Sequence, residues 1–563
     1  MATTPRFSKL EGLRISVCRR TGVPLAIWFW WVVATVWGIL NARLYRNFMN
    51  PDGISYLDLA SEALKRGPLA LVNPHWGPLY PGLIALWNAL LRPSPVQEFA
   101  YVHMLNAVIY FVAAVAFGLF LRELILFRAS ERGPLWRQAA FITFSFALFL
   151  RYSNGGILPF VTTPDILLSA TIFGAAACFF RIVRGAGIRA YVVLGCILGL
   201  GYLSKSVMLP AGVVLLGILF VCRGFSKSHS RNTLMAAAVT LLVCTPQIVL
   251  ISRQVGHPSI GETGKLNYIW WVQGIRQFQG WTGTPGGDMP VHGPRLIVSN
   301  PEVLEFGEPV PGTYPLWYDP AYWYAGSRVH FDPAQQWKAF KASLVFYKNY
   351  FPDLRYPLAG LMVLIVLAIS MRFPPKRIES WFILWPLASL IMYALLTTEI
   401  RYIAPWLTLF WIGAYSAVWA RNRIAERLLF FLLAIVILTP RLIDLGQAYS
   451  ILANSRGLPL NVWVARHLTD NGIRPGDSIA IVGTGFDHYY ARTARVRIVA
   501  QVTDERDFWS HSDASVRGVE RALAGIGAKA LIARNRPAEF QSGNWHTVPE
   551  TPYSFLILNQ ISE

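Results

Sequence analysis

Long apolar stretches recur along most of this 563-residue chain and are separated by short connections, many of them basic. A helix that crosses a bilayer needs roughly 20 mostly apolar residues. Eleven stretches meet or approach that length: Leu25–Ala42, Phe99–Leu121, Gln138–Ser153, Ile166–Val183, Tyr191–Leu203, Val207–Cys222, Asn232–Ile251, Pro357–Met371, Trp381–Leu396, Tyr402–Ala420 and Leu428–Leu445. The pattern predicts an all-α polytopic membrane domain with about eleven transmembrane helices.

Composition supports this prediction. Hydrophobic residues make up 54% of the chain and charged residues only 15%, whereas soluble domains carry about 25% charged residues. These values exclude a disordered chain, a fibrous repeat and an ordinary cytosolic enzyme. The net charge of +20 is typical either of a nucleic-acid-binding protein or of basic loops on the inner side of a membrane. Because the basic residues lie between apolar runs, we expect the second and no nucleic-acid partner.

Every second connection between the predicted spans is a basic cluster. The basic residues of these clusters begin at Arg6, Arg122, Arg181, Arg223, Arg372 and Arg421. Since positive charge marks cytoplasmic loops, the N-terminus is predicted inside and, with eleven spans, the C-terminus outside. The first span shows no clear cleavage site, and we interpret it as retained.

This orientation predicts four larger pieces on the outer face, which are residues 47–95, 154–165 and 252–355 and the tail from 451. The chain is therefore divided into a transmembrane domain, 1–450, and a C-terminal domain, 451–563. The tail alternates between strand patterns and helix patterns, which predicts a small extracytoplasmic α/β domain. Strands are predicted at Ser478–Val482, Val496–Val502, Ala528–Ala533 and Ser554–Leu558, and helices at Asn461–Leu468 and Ala514–Ile526. The short apolar stretch Leu79–Leu91 is predicted to lie at the membrane surface.

Two aspartates stand near the predicted outer membrane surface. Asp52 is bracketed by Pro51 and Gly53, and Asp165 follows Pro164 directly before a span. Each is typical of a helix-capping or turn aspartate. Alternatively, the two carboxylates converge on one cleft, where one acts as a base and the other orients an acceptor.

Cations and aromatic residues accompany these carboxylates. Lys205 either extends to the membrane surface or faces an anion, and Arg401 either pairs with Glu399 or forks onto a phosphate. Arg276 and Arg295, in the long outer loop, are further candidates for a phosphate ligand. The loop also carries Trp270, Trp271, Trp281, Trp317 and Trp323, which suit a membrane belt or stacking on sugars.

The order of these motifs resembles one enzyme family. The runs Asn50-Pro51-Asp52-Gly53-Ile54-Ser55-Tyr56 and His75-Trp76-Gly77-Pro78-Leu79-Tyr80-Pro81 come first, followed by Asp165, by a glycine–leucine-rich run ending in Lys205, and by Arg401-Tyr402 with Pro405. Together they resemble the integral-membrane glycosyltransferases of the GT-C fold that use polyprenyl-phosphate sugars. These include the protein O-mannosyltransferases of glycosyltransferase family 39 and the bacterial aminoarabinose transferases. The aminoarabinose transferases place an acidic–basic pair before the proline of the first loop, where this chain has His75, Trp76 and Gly77.

The resemblance implies inverting transfer of a sugar from a polyprenyl-phosphate donor at the outer face of a bacterial inner membrane. Asp52 is the expected base, Asp165 is expected to support the acceptor or a bound cation, and Lys205, Arg401, Arg276 and Arg295 are the expected ligands of the donor phosphate. Substrate contacts are expected from Tyr56, His75, Tyr80 and Tyr402. The sugar and the acceptor are left unassigned, no cofactor is implied, and a divalent cation at the two aspartates stays open. A polytopic transporter or lipid flippase, and a non-catalytic assembly subunit, are the alternative functions.

Overall fold

The computed structural model describes residues 24–128, 135–156, 161–222, 226–275, 280–284, 286–349, 351–370, 377–418, 424–454, 458–540 and 544–558.

Each predicted span corresponds to one helix in this part of the chain. These helices are α1 (Leu25–Leu44), α4 (Glu98–Phe127), α5 (Leu135–Gly156), α6 (Asp165–Val183), α7 (Ile188–Ser204), α8 (Met208–Cys222), α9 (Lys227–Val255), α11 (Phe351–Ser370), α12 (Arg377–Ala394), α13 (Ile400–Val418) and α14 (Ile424–Asn454). Five stretches in the described residues are long and apolar enough to cross a membrane by length and composition: Leu25–Leu44, Glu98–Phe127, Asp165–Val183, Lys227–Val255 and Glu426–Ser450.

The remaining longer helices are α2 (Pro51–Arg66), α3 (Leu79–Leu91), α10 (Pro333–Asn349), α15 (Leu460–Asp470) and α16 (Asp513–Gly525). Short helical segments lie at Pro68–Leu71, Thr263–Asn267, Tyr268–Val272, Pro315–Tyr318, Pro320–Trp323, Gly485–Asp487, Tyr490–Ala494 and Glu505–Ser510. The helix predicted over Leu79–Leu91 is present as α3 with these bounds.

The apolar helices pack through aromatic side chains and through close approach at glycine. In the bundle core, the ring of Phe117 on α4 lies 5.0 Å from the rings of Phe149 on α5 and Phe173 on α6. A Cβ atom at Gly118 would lie 2.4 Å from Nε1 of Trp31. Only glycine therefore allows α1 and α4 to approach this closely, as in other tightly packed membrane helices.

A seven-stranded sheet stands outside the bundle. Its strands are β1 (Arg295–Ser299), β2 (Glu302–Glu305), β3 (Ser478–Val482), β4 (Arg497–Val502), β5 (Ala530–Arg534), β6 (His546–Thr547) and β7 (Tyr553–Ile557). Their order is β1-β2-β4-β3-β5-β7-β6. Strands β3, β4 and β5 are parallel, and the other pairings are antiparallel.

The four strands predicted in the tail are all present, and the fold class predicted from the sequence is confirmed. The sequence analysis missed β1 and β2, which belong to the long outer loop. Val303 of β2 pairs with Val502 of β4, so the sheet joins the loop to the tail. Both strands are short. β2 pairs with β4, about 200 residues further on, and the edge strand β1 pairs with β2, so no local pattern predicts their place in this sheet.

A buried ion cluster fixes the C-terminal domain to the helices. Arg492 donates to Oδ1 of Asp58 on α2 at 2.7 Å and to both carboxylate oxygens of Glu98 on α4 at 2.6 and 2.8 Å. Thr313 of the long loop donates its backbone N–H to Oδ2 of Asp58 at 2.8 Å. The side chains of Arg492, Asp58 and Glu98 are each at most 5% exposed. Helix α2 is thereby held by the tail and by the loop at once.

Candidate active site

A cavity of about 970 Å³ opens where α2, α6, α7 and α13 meet the outer loops. Of the ten residues predicted for the site, seven line it: Asp52, Tyr56, His75, Asp165, Lys205, Arg401 and Tyr402. Segments far apart in sequence therefore bring their polar side chains to one space. The rest of its wall is largely apolar and includes Val207, Pro210, Ile251 and Leu396.

Asp52 lies in the first turn of α2, where Pro51 occupies one of the first two helical positions and the helix dipole favours a carboxylate. The residue at the N-cap position is Asn50, so Asp52 does not serve as the capping residue that the sequence allowed. Its Oδ2 atom lies 2.7 Å from Nη1 of Arg401, and its Oδ1 atom accepts a hydrogen bond of 3.3 Å from Nε1 of Trp317. Burial favours the neutral acid, but the charge and hydrogen bonds of Arg401 and Trp317 outweigh it and hold the pKa of Asp52 below its ordinary value.

Asp165 is the first residue of α6 and is 1% exposed. Its Oδ1 atom lies 2.8 Å from Nζ of Lys205, which follows the last turn of α7. Its other oxygen, Oδ2, is buried and has no hydrogen-bond partner. A buried carboxylate oxygen without a partner is costly, and this one borders the cavity, where a substrate hydroxyl could donate to it.

Tyr402 joins the two carboxylate–cation pairs. The Nζ atom of Lys205 lies 3.8 Å from the centre of its ring, and Nη2 of Arg401 lies 3.1 Å from its hydroxyl oxygen. Arg401 also donates from Nε to Glu399 at 2.6 Å. The sequence allowed Arg401 either to pair with Glu399 or to bind a phosphate. The two interpretations are compatible, because its guanidinium pairs with Glu399 and still lines the cavity.

His75 is buried against aromatic rings. Its ring centre lies 4.3 Å from that of Trp76 and 5.6 and 5.9 Å from those of Trp270 and Trp317. Burial lowers the pKa of His75 to about 4, so its imidazole is neutral at physiological pH. The Nδ1 atom is buried without a hydrogen-bond partner. His75 therefore offers the cavity a neutral hydrogen-bonding group rather than a charge.

Of the three remaining predicted residues, Tyr80 and Arg295 do not line the cavity. Tyr80 packs its ring 5.2 Å from that of Tyr56 and donates to Oδ1 of Asn106 at 2.7 Å, so it supports a lining residue from behind. Arg295 lies on the exposed edge strand β1 and pairs with Glu305, with its side chain 66% exposed. It is therefore remote from the cavity, whereas Lys205 and Arg401 line it. Arg276 lies outside the described residues.

The aromatic residues of the long loop are mostly buried in protein rather than arranged as a membrane belt. Trp270, Trp281, Trp317 and Trp323 are each at most 8% exposed, whereas Trp271 is 44% exposed and lines the cavity. Trp270 and Trp317 line the cavity, whereas Trp281 stacks on Tyr324 and Trp323 packs against Phe306, both within the loop. No periodicity in the sequence reveals these contacts.

Tyr393 and Phe486 are among the lining residues that the sequence analysis did not identify. Tyr393 on α12 stacks its ring 5.4 Å from that of Tyr402. Phe486 follows the Gly483-Thr484-Gly485 turn after β3 and places its ring 4.8 Å from that of Trp317. A Gly-x-Gly turn after a strand is by itself only a weak nucleotide-binding signal and does not point to this cavity. No local signal would have assigned Phe486 to this cavity, since its position depends on the docking of the tail.

The described residues contain no group of three or more His, Cys, Asp or Glu side chains placed to hold a metal ion. Asp52 and Asp165 each face a cationic side chain in this structure.

Comparison with known proteins identifies the fold. A scan against protein-family models and a search of the curated proteins find no match. Among solved structures, the chain is similar to ArnT from Cupriavidus metallidurans in the apo state, with 13% identity and a TM-score of 0.52 over 94% of this chain and 98% of that chain. The same protein bound to undecaprenyl phosphate matches with a TM-score of 0.53, the same identity and the same coverage. This chain has the GT-C fold.

The GT-C assignment confirms the fold expected from the sequence motifs. It covers the apolar helices and the C-terminal sheet alike, since the match extends over nearly the whole of both chains. An identity of 13% supports the fold alone. The chemistry of this GT-C chain must therefore be argued from its own cavity.

Proposed function

We propose that this protein is an inverting glycosyltransferase. It transfers a sugar from a polyprenyl-phosphate donor to an acceptor hydroxyl at the outer face of a bacterial inner membrane. The observation that carries the proposal is that two ion pairs, Asp52–Arg401 and Asp165–Lys205, line one partly apolar cavity. The solved structure of ArnT with undecaprenyl phosphate supports a donor of this class.

The reaction needs a base for the acceptor. As the acceptor oxygen bonds to the anomeric carbon, its proton must leave, and a carboxylate within hydrogen-bond reach accepts it. Asp52 takes this role because its carboxylate faces the cavity and is ionised. Asp165, with its unpartnered Oδ2 atom, orients the acceptor or the sugar through a hydroxyl hydrogen bond.

The reaction also needs cations for the leaving group. The bond between the anomeric carbon and the phosphate oxygen breaks, and the electron pair stays on a lipid phosphate that gains negative charge. Lys205 and Arg401 are the cations placed to stabilise that charge. A single displacement by the acceptor inverts the anomeric centre and requires no covalent intermediate.

Arg401 contacts the base and is also placed to bind the leaving phosphate. When a donor phosphate binds, we expect it to draw the Arg401 guanidinium away from Asp52, which then accepts the proton of the acceptor. Tyr56, His75 and Tyr402 contact the substrates from the wall, and the apolar lining receives the beginning of the polyprenyl chain. The basic connections of the sequence put the N-terminus in the cytoplasm and the C-terminal domain outside.

The test is transfer of radiolabelled sugar from polyprenyl-phosphate donors by purified protein in detergent. Asp52→Asn keeps the size of the side chain but removes the base, and transfer should fall by about 10²–10⁴-fold while donor binding and folding persist. Tyr80→Phe, behind the wall, is the matched control and should stay within about threefold, since it loses one neutral hydrogen bond.

Full activity of Asp52→Asn would refute the assignment of the base. Substrate movement across sealed vesicles without a new glycosidic bond would instead support a transporter or lipid flippase. Failure to bind any polyprenyl-phosphate donor would refute the substrate class.

A further inference from the structure

A second cavity lies at the opposite end of the bundle from the candidate active site. It measures about 390 Å³ and is lined by Arg122, Glu123, Arg181, Arg184, Gly185 and Ala186. Asp165 and Arg184 stand at the two ends of α6, which spans roughly 28 Å at 1.5 Å per residue. That distance is close to the thickness of the hydrocarbon core of a bilayer, so this cavity lies at the other membrane face.

The guanidinium groups around this cavity are held by a buried carboxylate. Glu123 on α4, with its side chain 6% exposed, pairs with Arg122 at 2.5 Å and with Arg184 beyond the end of α6. Ordinary basic residues of an inner loop extend separately into water. Here one buried acid fixes arginines from two helices at the rim of a single space.

A third guanidinium remains available. In the described part of the chain, the side chain of Arg181 has neither a hydrogen bond nor an ion pair, and it is exposed at the cavity. Three arginines against one glutamate give the lining a net charge of +2. Gly185, with φ of +99°, allows the tight turn that follows Arg184 and leaves the rim open.

We propose that this cavity binds the phosphate of an anionic phospholipid headgroup from the leaflet opposite the candidate active site. Arginine forks match the oxygen geometry of a phosphate. The volume lies in the range of small-ligand sites. The position at the ends of spanning helices is where headgroup phosphates lie, which favours a lipid over free phosphate as the source. The proposal does not depend on the proposed transfer reaction.

The test compares phosphatidylglycerol with phosphatidylcholine of the same acyl chains. Each is added to the full-length protein in neutral detergent, and bound lipid is counted by native mass spectrometry. We expect wild-type protein to retain phosphatidylglycerol preferentially. Arg181→Gln should reduce that retention about tenfold, as expected for the loss of one charge-assisted contact, and Arg181→Lys should lose less.

The matched control is Arg189→Gln. Arg189 is exposed on α7 near the same face, and it does not line the cavity, so its loss should change retention by less than about twofold. Equal losses in both glutamine variants would overturn the proposal in favour of diffuse surface charge. Unchanged retention in Arg181→Gln would also overturn it. Complete displacement of the lipid by millimolar inorganic phosphate would assign the site to free phosphate instead.

Discussion

Arg401 and Asp52 are 349 residues apart in the sequence, yet Nη1 of the first lies 2.7 Å from Oδ2 of the second. In the proposed reaction these are the phosphate ligand and the base, so before the donor binds each neutralises the other. A donor phosphate that competes for Arg401 would release Asp52 only when there is a leaving group to displace. This coupling favours binding of the donor before activation of the acceptor.

The first prediction concerns Arg401→Gln. Loss of the charge should reduce transfer about 10²–10³-fold, as expected when one preorganised electrostatic group is removed. Because Arg401 lowers the pKa of Asp52, the variant should raise that pKa. The carboxylate is lost as pH falls through its pKa, so the acid limb of residual kcat/KM against pH should move to higher pH. Arg401→Lys keeps the charge and should shift this limb less, and an acid limb unmoved in Arg401→Gln would contradict the coupling.

The second prediction concerns the Lys205–Asp165 pair, whose side chains are 21% and 1% exposed. Lys205→Gln leaves a buried carboxylate without its cation. It should lower the free energy of unfolding by about 2–4 kcal/mol, somewhat less than a fully buried pair would lose. The double variant Asp165→Asn/Lys205→Gln should recover part of this loss but no activity. Denaturant unfolding in detergent measures the coupling, and a coupling below about 0.5 kcal/mol would show the two sites to be independent.

The third prediction concerns Arg492, which serves two buried carboxylates at once. Arg492→Gln should lower the free energy of unfolding by about 3–5 kcal/mol because it leaves uncompensated buried charge. Limited proteolysis should then release the C-terminal domain faster. The control is Arg534→Gln, which breaks an exposed pair with Asp487 and should cost at most about 1 kcal/mol. Similar losses in the two variants would contradict an anchoring role for Arg492.

The fourth prediction follows from His75. Its pKa falls from 6.5 in the unfolded chain to about 4 in the folded protein, so the unfolded chain binds more protons between these values. The folded state should therefore lose about 3 kcal/mol of stability as pH falls through this window. His75→Gln should flatten the dependence of unfolding free energy on pH between 6.5 and 4. His488, whose pKa burial lowers to about 3, acts in the same direction in both proteins and cancels in the comparison. Equal slopes in both proteins would refute a neutral buried His75.

Sequence patterns predicted the features of this fold that are local. Apolar runs specify the helices, and the strand Ser478–Val482 was predicted with its observed bounds because four buried apolar residues in a row follow a polar turn. Strand β2 was missed because its partner β4 is far away in the chain, and β1 because it joins the sheet through β2. Length and hydropathy contain no information about such pairing.

In the candidate site, too, the local features were predictable from the sequence and the long-range contacts were not. Asp52, Asp165, Lys205 and Arg401 were predicted because each stands near the predicted outer end of an apolar span, where a charge that faces lipid is costly. Their pairing, two carboxylates with two cations, depends on helix packing that the sequence alone does not specify. Arg295 was predicted as a phosphate ligand from its residue type and its place in the long loop. In the structure it lies on β1 and pairs with Glu305.

The pairing of β2 with β4 also has a consequence for biogenesis. Four helices, α11 to α14, lie between these strands in the chain. A translocating chain must insert all four before the sheet can close, and Phe486 and Arg492 reach the helices only afterwards. The candidate active-site cavity is therefore completed last, so a ribosome-bound or truncated chain would insert its helices without completing this cavity.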